Sequence, residues 1–550
     1  MVITLDCETI GVDHHHPDFK VLFNGFYDPE DNFLYQGPCD VTVTTDHPVT
    51  FIGHNIKFDL KCLLKQGYSL SDNFYDTQVA VHILREDLDS HGYKLENLAK
   101  LLYQYPNYKK MIDFEREEYW NDIGWLKLYN KHDLIFTKQL KNLTEPALKR
   151  TGKWALFQMM MEYVKHLTTL EMRGIKIDVD ELDRQGAIWT AKRIKTLEEL
   201  RNYSTKLDWD SDTSKPVKEY FHKYFKVPLT EKKNIKLNEL VLKDLAENQE
   251  SKEAELVLIL RACTKQIGTY NEGFRSRLYE GYYYPDYSLI STLTGRLSEH
   301  FIQVMPRKET SEFKKCIVSK FPGGYLLSND WSRLEALLQA ELVWIVTGKH
   351  KLADDLMSGY DIHDATLKRF KFLPDRTRAK NANFSTIFGG RGYTLVQEYG
   401  FTWPQAKEFV HDLTVIRYPE LSELFRIIGA RILDEKYVEH PYTHRGRHTD
   451  NYNEGLNAPI QGLGTDFNKI MTVVLSEKLQ NYQSHVCLDC HDDLTIDVHP
   501  EEKDEVIQIV KKEYGNFSEH FHRFFGVELK VKYNAEHKIG KNLYEQSKII

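Results

Sequence analysis

Three short apolar runs of this chain each deliver carboxylates. VITLDCET carries Asp6 and Glu8, YLLSNDWS carries Asp330, and SHVCLDCHDDLTIDVH carries Asp492 and Asp493 between two runs. Each run reads as a strand, and on a strand Asp6 and Glu8, two apart, point the same way. A chain written like this must build sheets that present acids at chosen places. Residues 1 to about 145 alternate β-branched and aromatic runs such as VLFNGFYD and TFIGHN with helical stretches such as YKLENLAKLL, the pattern of an α/β domain. A long helical region follows from about 155 to 280, then a mixed region in which the other two acid-bearing runs flank a helix-rich middle.

GHNIKFDL adds Asp59, and YNKHDL places Tyr129 four residues before Asp133, on one face of a helix. Four carboxylates and a phenol can hold two hard cations and orient a water, and two metals in such a cage stabilise the attacking and departing oxygens of a phosphodiester. Strands bearing Asp330 and Asp492, if adjacent in one sheet, offer a second site of the same kind. RTRAKNANFSTIFGG, residues 376–390, supplies a complement to it. As a helix it lines up Arg376, Lys380, Phe384 and Phe388 at four-residue intervals and ends at a glycine pair where a chain can approach a ligand closely. Two cations and two rings on one stripe suit a triphosphate carrying a base.

At 550 residues the chain is long enough for two or more domains. No apolar run approaches the ~18 residues of a membrane span. Met1-Val2-Ile3 leads straight into a strand pattern without a signal peptide, and the seven cysteines are odd in number and scattered, so a reduced, cytoplasmic setting is expected. Net charge is 73 minus 81, or −8, against a nucleic-acid binder on balance. Between Lys215 and Lys243, however, eight lysines face three glutamates, a local +5 interleaved with Tyr220, Phe221, Tyr224 and Phe225, which reads as a backbone-tracking patch. His14-His15-His16, beside Pro17, reads as a solvated loop, and the Cys487/Cys490 pair has no second pair at zinc-site spacing.

In this order the first acids resemble the exonuclease motifs of the DEDD family of 3′–5′ exonucleases, in the form with Tyr in the third motif, over residues 1 to about 145. Residues from about 155 to 550 resemble the polymerase region of family A DNA polymerases, the group of bacterial DNA polymerase I and many phage replicases. NDWSRLE, RTRAKNANFSTIFGG and CHDD match its three motifs, supported by EMRGIKID, TGRLSEHFIQVMPR, DIH, NAPIQG and KNLYE. The resemblance implies an RNase H-like exonuclease domain at 1–150 and a right-hand polymerase domain at 151–550, with thumb about 185–285, palm about 286–350 and 430–550, and fingers about 351–429.

It also implies roles. Asp6, Glu8, Asp59 and Asp133 would be metal ligands, with Tyr129 positioning a water. Asp330 and Asp492 would hold the polymerase metals, two Mg²⁺ per site with Mn²⁺ able to substitute. Arg376 and His363 would contact the outer phosphates, Lys380 the inner ones and the leaving pyrophosphate, and Phe384 the incoming sugar and base. Glu335 would form the barrier against a ribose 2′-OH. Arg296, Asn457 and Gln461 would read the minor-groove edge of the new pair, whose acceptors are nearly sequence-independent, and His491 would hold the primer end. Trp331, Arg333, Leu334, Ser385, Phe388 and Asp493 depart from the family pattern. Arg333 adds charge near the metals, Asp493 takes a supporting role, and Phe388 alters template stacking.

The expected partners are primer-template DNA and dNTPs, together with replication-fork proteins that the sequence does not identify, and the expected state is a monomer. The layout, without a 5′-nuclease domain or a long thumb insertion, suggests a phage or phage-derived replicase acting in the host cytoplasm. A single-subunit RNA polymerase and an accessory protein with dead sites are the alternatives, and Glu335 and the full set of carboxylates argue against them. In the family, Tyr at the Phe384 position replaces the 3′-OH contact missing from a dideoxynucleotide. Competition between dideoxy- and deoxynucleotides should therefore show discrimination by the parent chain. Phe384→Tyr should relieve it by about tenfold, the worth of one hydrogen bond; equal incorporation by both forms would contradict this.

Overall fold

The computed structural model describes all residues except 1, 31–32, 39–48, 71–72, 90, 105–122, 208, 210–213, 228, 230–233, 306–311 and 550. The α/β multidomain class expected from the sequence is what it shows. Its first sheet joins β1 (Val2–Ile10), β2 (Lys20–Asp28), β3 (Phe33–Gly37), β4 (Thr50–Gly53) and β5 (Asn73–Asp76) in the order β3-β2-β1-β4-β5. β1, the acid-bearing strand, is central, antiparallel to β2 and parallel to β4.

Two helices leave this sheet from one anchor. The Asp76 carboxylate accepts from the backbone N–H of Asn55 and Ile56 at the start of α1 (Ile56–Lys65), and of Gln78 and Val79 at the start of α2 (Thr77–Leu84). Each end gains the capping it would otherwise lack. After α3 (Leu95–Tyr103), the long α4 (Ile123–Arg150) lies against β1. Gly25 of β2 permits that approach, since a Cβ there would sit 2.0 Å from Asn130 Oδ1.

α5 (Trp154–Arg173) is the spine of the molecule. Its Phe157, Met160, Tyr163 and Val164 are buried in one continuous apolar core that runs from Ile52 and Leu60 of the first unit to Leu488 and Tyr533 near the C-terminus. Beyond α5, a small sheet of β6 (Ile175–Lys176), β7 (Leu278–Tyr279) and β8 (Tyr282–Tyr283) frames a helical excursion of α6 (Val179–Tyr203), α7 (Lys215–Phe225), α8 (Glu239–Asn248) and α9 (Lys252–Lys265).

The excursion has a core of its own, and this revises the reading of the lysine-rich stretch. Tyr220 and Phe221 are buried there with Trp209, so they pack the excursion instead of offering stacking faces to bases. Only Tyr224 of that set is well exposed, its ring overlaid by Lys206 and Lys223, and residues 228 and 230–233 of the stretch lie outside the described residues.

The second large sheet is antiparallel throughout. Its strands β9 (Tyr325–Trp331), β12 (His485–Cys490), β13 (Asp493–Val498), β14 (Ala535–Gly540) and β15 (Gln546–Lys548) run in the order β12-β13-β9-β14-β15, while β10 (Tyr437–Glu439) and β11 (Gly446–His448) pair separately. Again the strand that brings the first acid, β9, is central. Between β9 and β12 come α10 (Leu334–Thr347), α11 (Lys351–Met357), α12 (Ile362–Arg369), α13 (Arg376–Ile387) and the largely buried α14 (Tyr452–Lys478). Among the described residues no helix is long and apolar enough to cross a membrane.

Arg445, just before β11, makes a two-pronged buried ion pair to Asp466 of α14, Nη2 to Oδ1 at 2.6 Å and Nε to Oδ2 at 3.0 Å. Lys469, one turn on, is also buried, and burial and Arg445 together draw its ammonium down to about 7. Asp466→Ala should lower unfolding stability by about 3–5 kcal/mol, because it leaves the Arg445 charge buried without its carboxylate. Urea denaturation followed by fluorescence would check this, and an unchanged midpoint would refute it.

Candidate functional site

In the first unit, β1 carries Asp6 and Glu8, α1 carries Asp59, and α4 carries Tyr129 and Asp133. All but Asp6 are buried, and Asp6 is half-buried. Asp59 is fastened to β1 between the two strand acids, since its Oδ1 accepts from Cys7 N at 2.8 Å. Asn130, the neighbour of Tyr129, donates to Asp6 Oδ2 at 2.6 Å. Burial pushes the Asp59 carboxyl up to about 8, opposed by its hydrogen bonds from Cys7. A carboxylate in that position gains from a nearby cation, and an all-oxygen donor set suits Mg²⁺.

Among the described residues, one trio of candidate ligand atoms lies within 4.8 Å of one another: Glu86, Asp87 and His448. No three of the predicted metal ligands meet that spacing. The trio is part of the contact between the two halves of the chain, where Glu86 Oε1 pairs with His448 Nδ1 at 2.8 Å.

In the second sheet, Asp330 of β9 is directly opposite Asp493 of β13, and His491 and Asp492 form the turn of the β12–β13 hairpin. These four residues, with Lys314 and Lys538, line a cavity of about 420 Å³. Burial, then the charge of Asp330, raises the Asp493 carboxyl to about 6. Facing carboxylates at the rim of a cavity again fit hard divalent cations.

The hairpin tip is held by residues that sequence reasoning did not single out. His491 is in the left-handed region at φ 59, a costly conformation for a non-glycine residue. Its N–H donates to Gln303 Oε1 at 3.1 Å while Gln303 Nε2 donates to Asp489 O at 2.8 Å. Its carbonyl accepts from Asn468 Nδ2 of α14 at 3.1 Å, and the same amide group binds Asp489 Oδ1 and the indole N–H of Trp331. Trp331, departing from the family pattern, thus packs against Phe467 and Phe517 and ties β9 to the hairpin through Asn468. Only the amide chemistry of Gln303 and Asn468 could have hinted at this, since both partners lie over 20 residues away.

A groove beside the hairpin gathers further predicted residues: Arg296, Glu335, Gln461, His491 and Asp492. Arg296 Nη2 is 3.3 Å from Glu335 Oε1. Asn457, one turn before Gln461 on α14, donates to Asn453 O within its own helix. Arg333, whose charge the sequence sets beside the acid-bearing strand, also has a structural contact. Its Nη2 donates to Leu356 O of α11, so the guanidinium fastens that helix.

The remaining predicted residues form a separate surface on α12 and α13. Arg376 is held by Asp361 at 2.6 Å and Asp364 at 3.0 Å. His363 accepts or donates at Asn383 and lies 5.5 Å from the Phe384 ring, Lys380 Nζ is 5.7 Å from that ring, and Phe384 and Phe388 are stacked with planes 4° apart. Burial lowers the His363 imidazole. Gly389, at φ 90, closes the helix against Leu456, which a Cβ would strike at 2.3 Å. Gln339 of α10 donates to Ile387 O and so links this surface to the strand β9 that α10 follows.

Comparison with known proteins agrees with this architecture. A model described as DNA polymerase family A matches residues 181–545, and one described as 3′-5′ exonuclease matches residues 41–122. The chain belongs to DNA polymerase family A and carries a 3′–5′ exonuclease domain before the polymerase region. DNA polymerase I of Aquifex aeolicus is 26% identical over 496 residues, covering 84% of this chain and 83% of that protein.

DNA polymerase I of Borreliella burgdorferi is 25% identical over 92% of this chain, and that of Lactococcus lactis subsp. lactis is 26% identical over 72%; these matches span 59% and 46% of those longer proteins. The polymerase domain of Pol1 from M. smegmatis, solved with primer-template DNA and dNTP, shares the fold with a TM-score of 0.79 at 18% identity, over 98% of this chain and 95% of that one.

Asn468→Ala should slow primer extension by about 10–100-fold with little change in KM for dNTP, as loss of a residue that fixes an acid-bearing turn from outside does. Steady-state kinetics would decide, and an unaltered kcat would show that the hairpin holds its geometry without it.

Proposed function

We propose that this chain is a template-directed DNA polymerase that adds dNTPs to a primer 3′-OH and removes nucleotides from the same end with its exonuclease domain. The observation that carries the reading is the pairing of Asp330 with Asp493 beside the Asp492 turn, at one cavity, in a chain of family A. In this reading Asp330 and Asp492 hold two Mg²⁺ ions and Asp493 supports them. Such ions supply charge neutralisation for the attacking and leaving oxygens.

The chain's own groups do the rest. Arg376 exchanges Asp361 and Asp364 for the outer phosphates together with His363. Lys380 binds the inner phosphates and brings a proton to the departing pyrophosphate. Phe384 packs on the sugar and base, with Phe388 stacked behind it. Glu335, held by Arg296, stands in the groove where a ribose 2′-OH would intrude, which favours dNTPs over ribonucleotides. Arg296, Asn457 and Gln461 contact the minor groove, and His491 holds the primer terminus. In the exonuclease domain Asp6, Glu8, Asp59 and Asp133 hold the second pair of ions and Tyr129 orients the water. In this reading the thumb spans about 185–285, the palm about 286–350 and 430–550, and the fingers about 351–429.

A 5′-labelled primer on a longer template in Mg²⁺ tests the reading directly. The parent chain should extend it with dNTPs and shorten it without them. Asp330→Ala should lose extension alone and Asp6→Ala shortening alone, each by roughly 10²–10³-fold if the ions supply several kcal/mol. Extension that survives Asp330→Ala would overturn the assignment, and preference for ribonucleotides would favour an RNA polymerase.

A further inference from the structure

The exonuclease helix α1 is clamped from the polymerase side. Lys57 and Lys61 fall one turn apart on one face of α1, and Asp59, midway between them, points from the opposite face. Lys57 Nζ is 2.6 Å from Glu171 Oε1 at the end of α5, and Lys61 Nζ pairs with Glu171 Oε2. Both ammonium groups also reach Asp286 Oδ1, at 3.4 and 3.3 Å, and Lys57 donates to Tyr287 O. Glu171 is fully enclosed and accepts in addition from Tyr287 N at 2.8 Å. Two buried cations are thus matched by two carboxylates that belong to another part of the chain.

The same segment also grips the loop that follows β1. Tyr279 Oη donates to Asp13 Oδ2 at 2.9 Å, and His15 stacks on Tyr284 with centroids 3.4 Å apart. His14 is not in solvent as its polar neighbours suggested. It is buried, with Nε2 3.1 Å from Phe58 O of α1. Two of the three elements that deliver exonuclease carboxylates, β1 and α1, are therefore fixed against residues 279–287 and Glu171, around a cavity of about 500 Å³.

We propose that Glu171 and Asp286 are positioning residues for exonuclease catalysis, acting through Lys57 and Lys61 to set the height of Asp59 against Asp6 and Glu8. The polymerase part thereby completes the exonuclease site. The proposal rests on the exonuclease reading given above and adds a dependence which that reading does not contain.

Full-length Glu171→Gln and Asp286→Asn test it, the second at a partly exposed carboxylate whose loss leaves folding least affected. Excision of single-stranded DNA at saturating DNA should slow by about 10–100-fold in kcat, with KM for DNA little changed and half-saturation by Mg²⁺ shifted upward. Lys61→Arg, which keeps the charge, should retain excision, and primer extension should match the parent in all three. Excision with parental kcat and Mg²⁺ dependence in both carboxylate variants would overturn the clamp alone, as would extension falling in step with excision. A parent chain that extends primers but excises nothing would overturn the exonuclease reading and the clamp with it.

Discussion

Holding like charges side by side is the constraint on which the rest of this structure depends. Asp330 and Asp493 face one another on neighbouring strands, and burial first, then the Asp330 charge, shifts the Asp493 carboxyl upward. Two charges of the same sign repel more strongly as water is excluded, so the backbone beneath them must be rigid. The sheet supplies that rigidity by placing β9 in the middle of five strands, hydrogen-bonded on both sides. The hairpin tip is stiffened in turn by Gln303 and Asn468, which occupy respectively the N–H and the carbonyl of a residue in a strained conformation.

The exonuclease part solves the same problem with another sheet. β1 is again the central strand of five, and the third acid is brought in by a helix instead of by a paired strand. Asp76 starts that helix, Cys7 N–H donates to its Asp59, and the buried lysines hold its far face. Because α5 packs into one core with both sheets, the two sites share a rigid frame although their acids come from distant segments. Lys57 with Glu171 and Glu86 with His448 are polar long-range links between the halves.

Much of the site was legible because its chemistry is local. Asp6 and Glu8 share a strand face by the two-residue period, and the stripe from Arg376 to Phe388 follows from the helical period, with Phe388 at the helix end. Other readings failed for a definite reason. Tyr220 and Phe221 are interleaved with lysines, yet the amphipathic α7 turns them into the core formed with α8 and α9. His14 has polar neighbours in sequence, but Phe19 and Phe58 close over it.

The order of acids, the strand and helix periods and the charge stripe are written in adjacent residues, so the sequence by itself determined the two-site plan and the family. The tertiary structure alone decided which groups hold the acids in place. Asn468 meets Trp331 across 137 residues, Gln303 meets Asp489 across 186, and Lys57 meets Glu171 across 114. A pair separated by that much chain leaves no period for a reader to find, because its partner is chosen by the path of the backbone and by the need to satisfy every buried polar group.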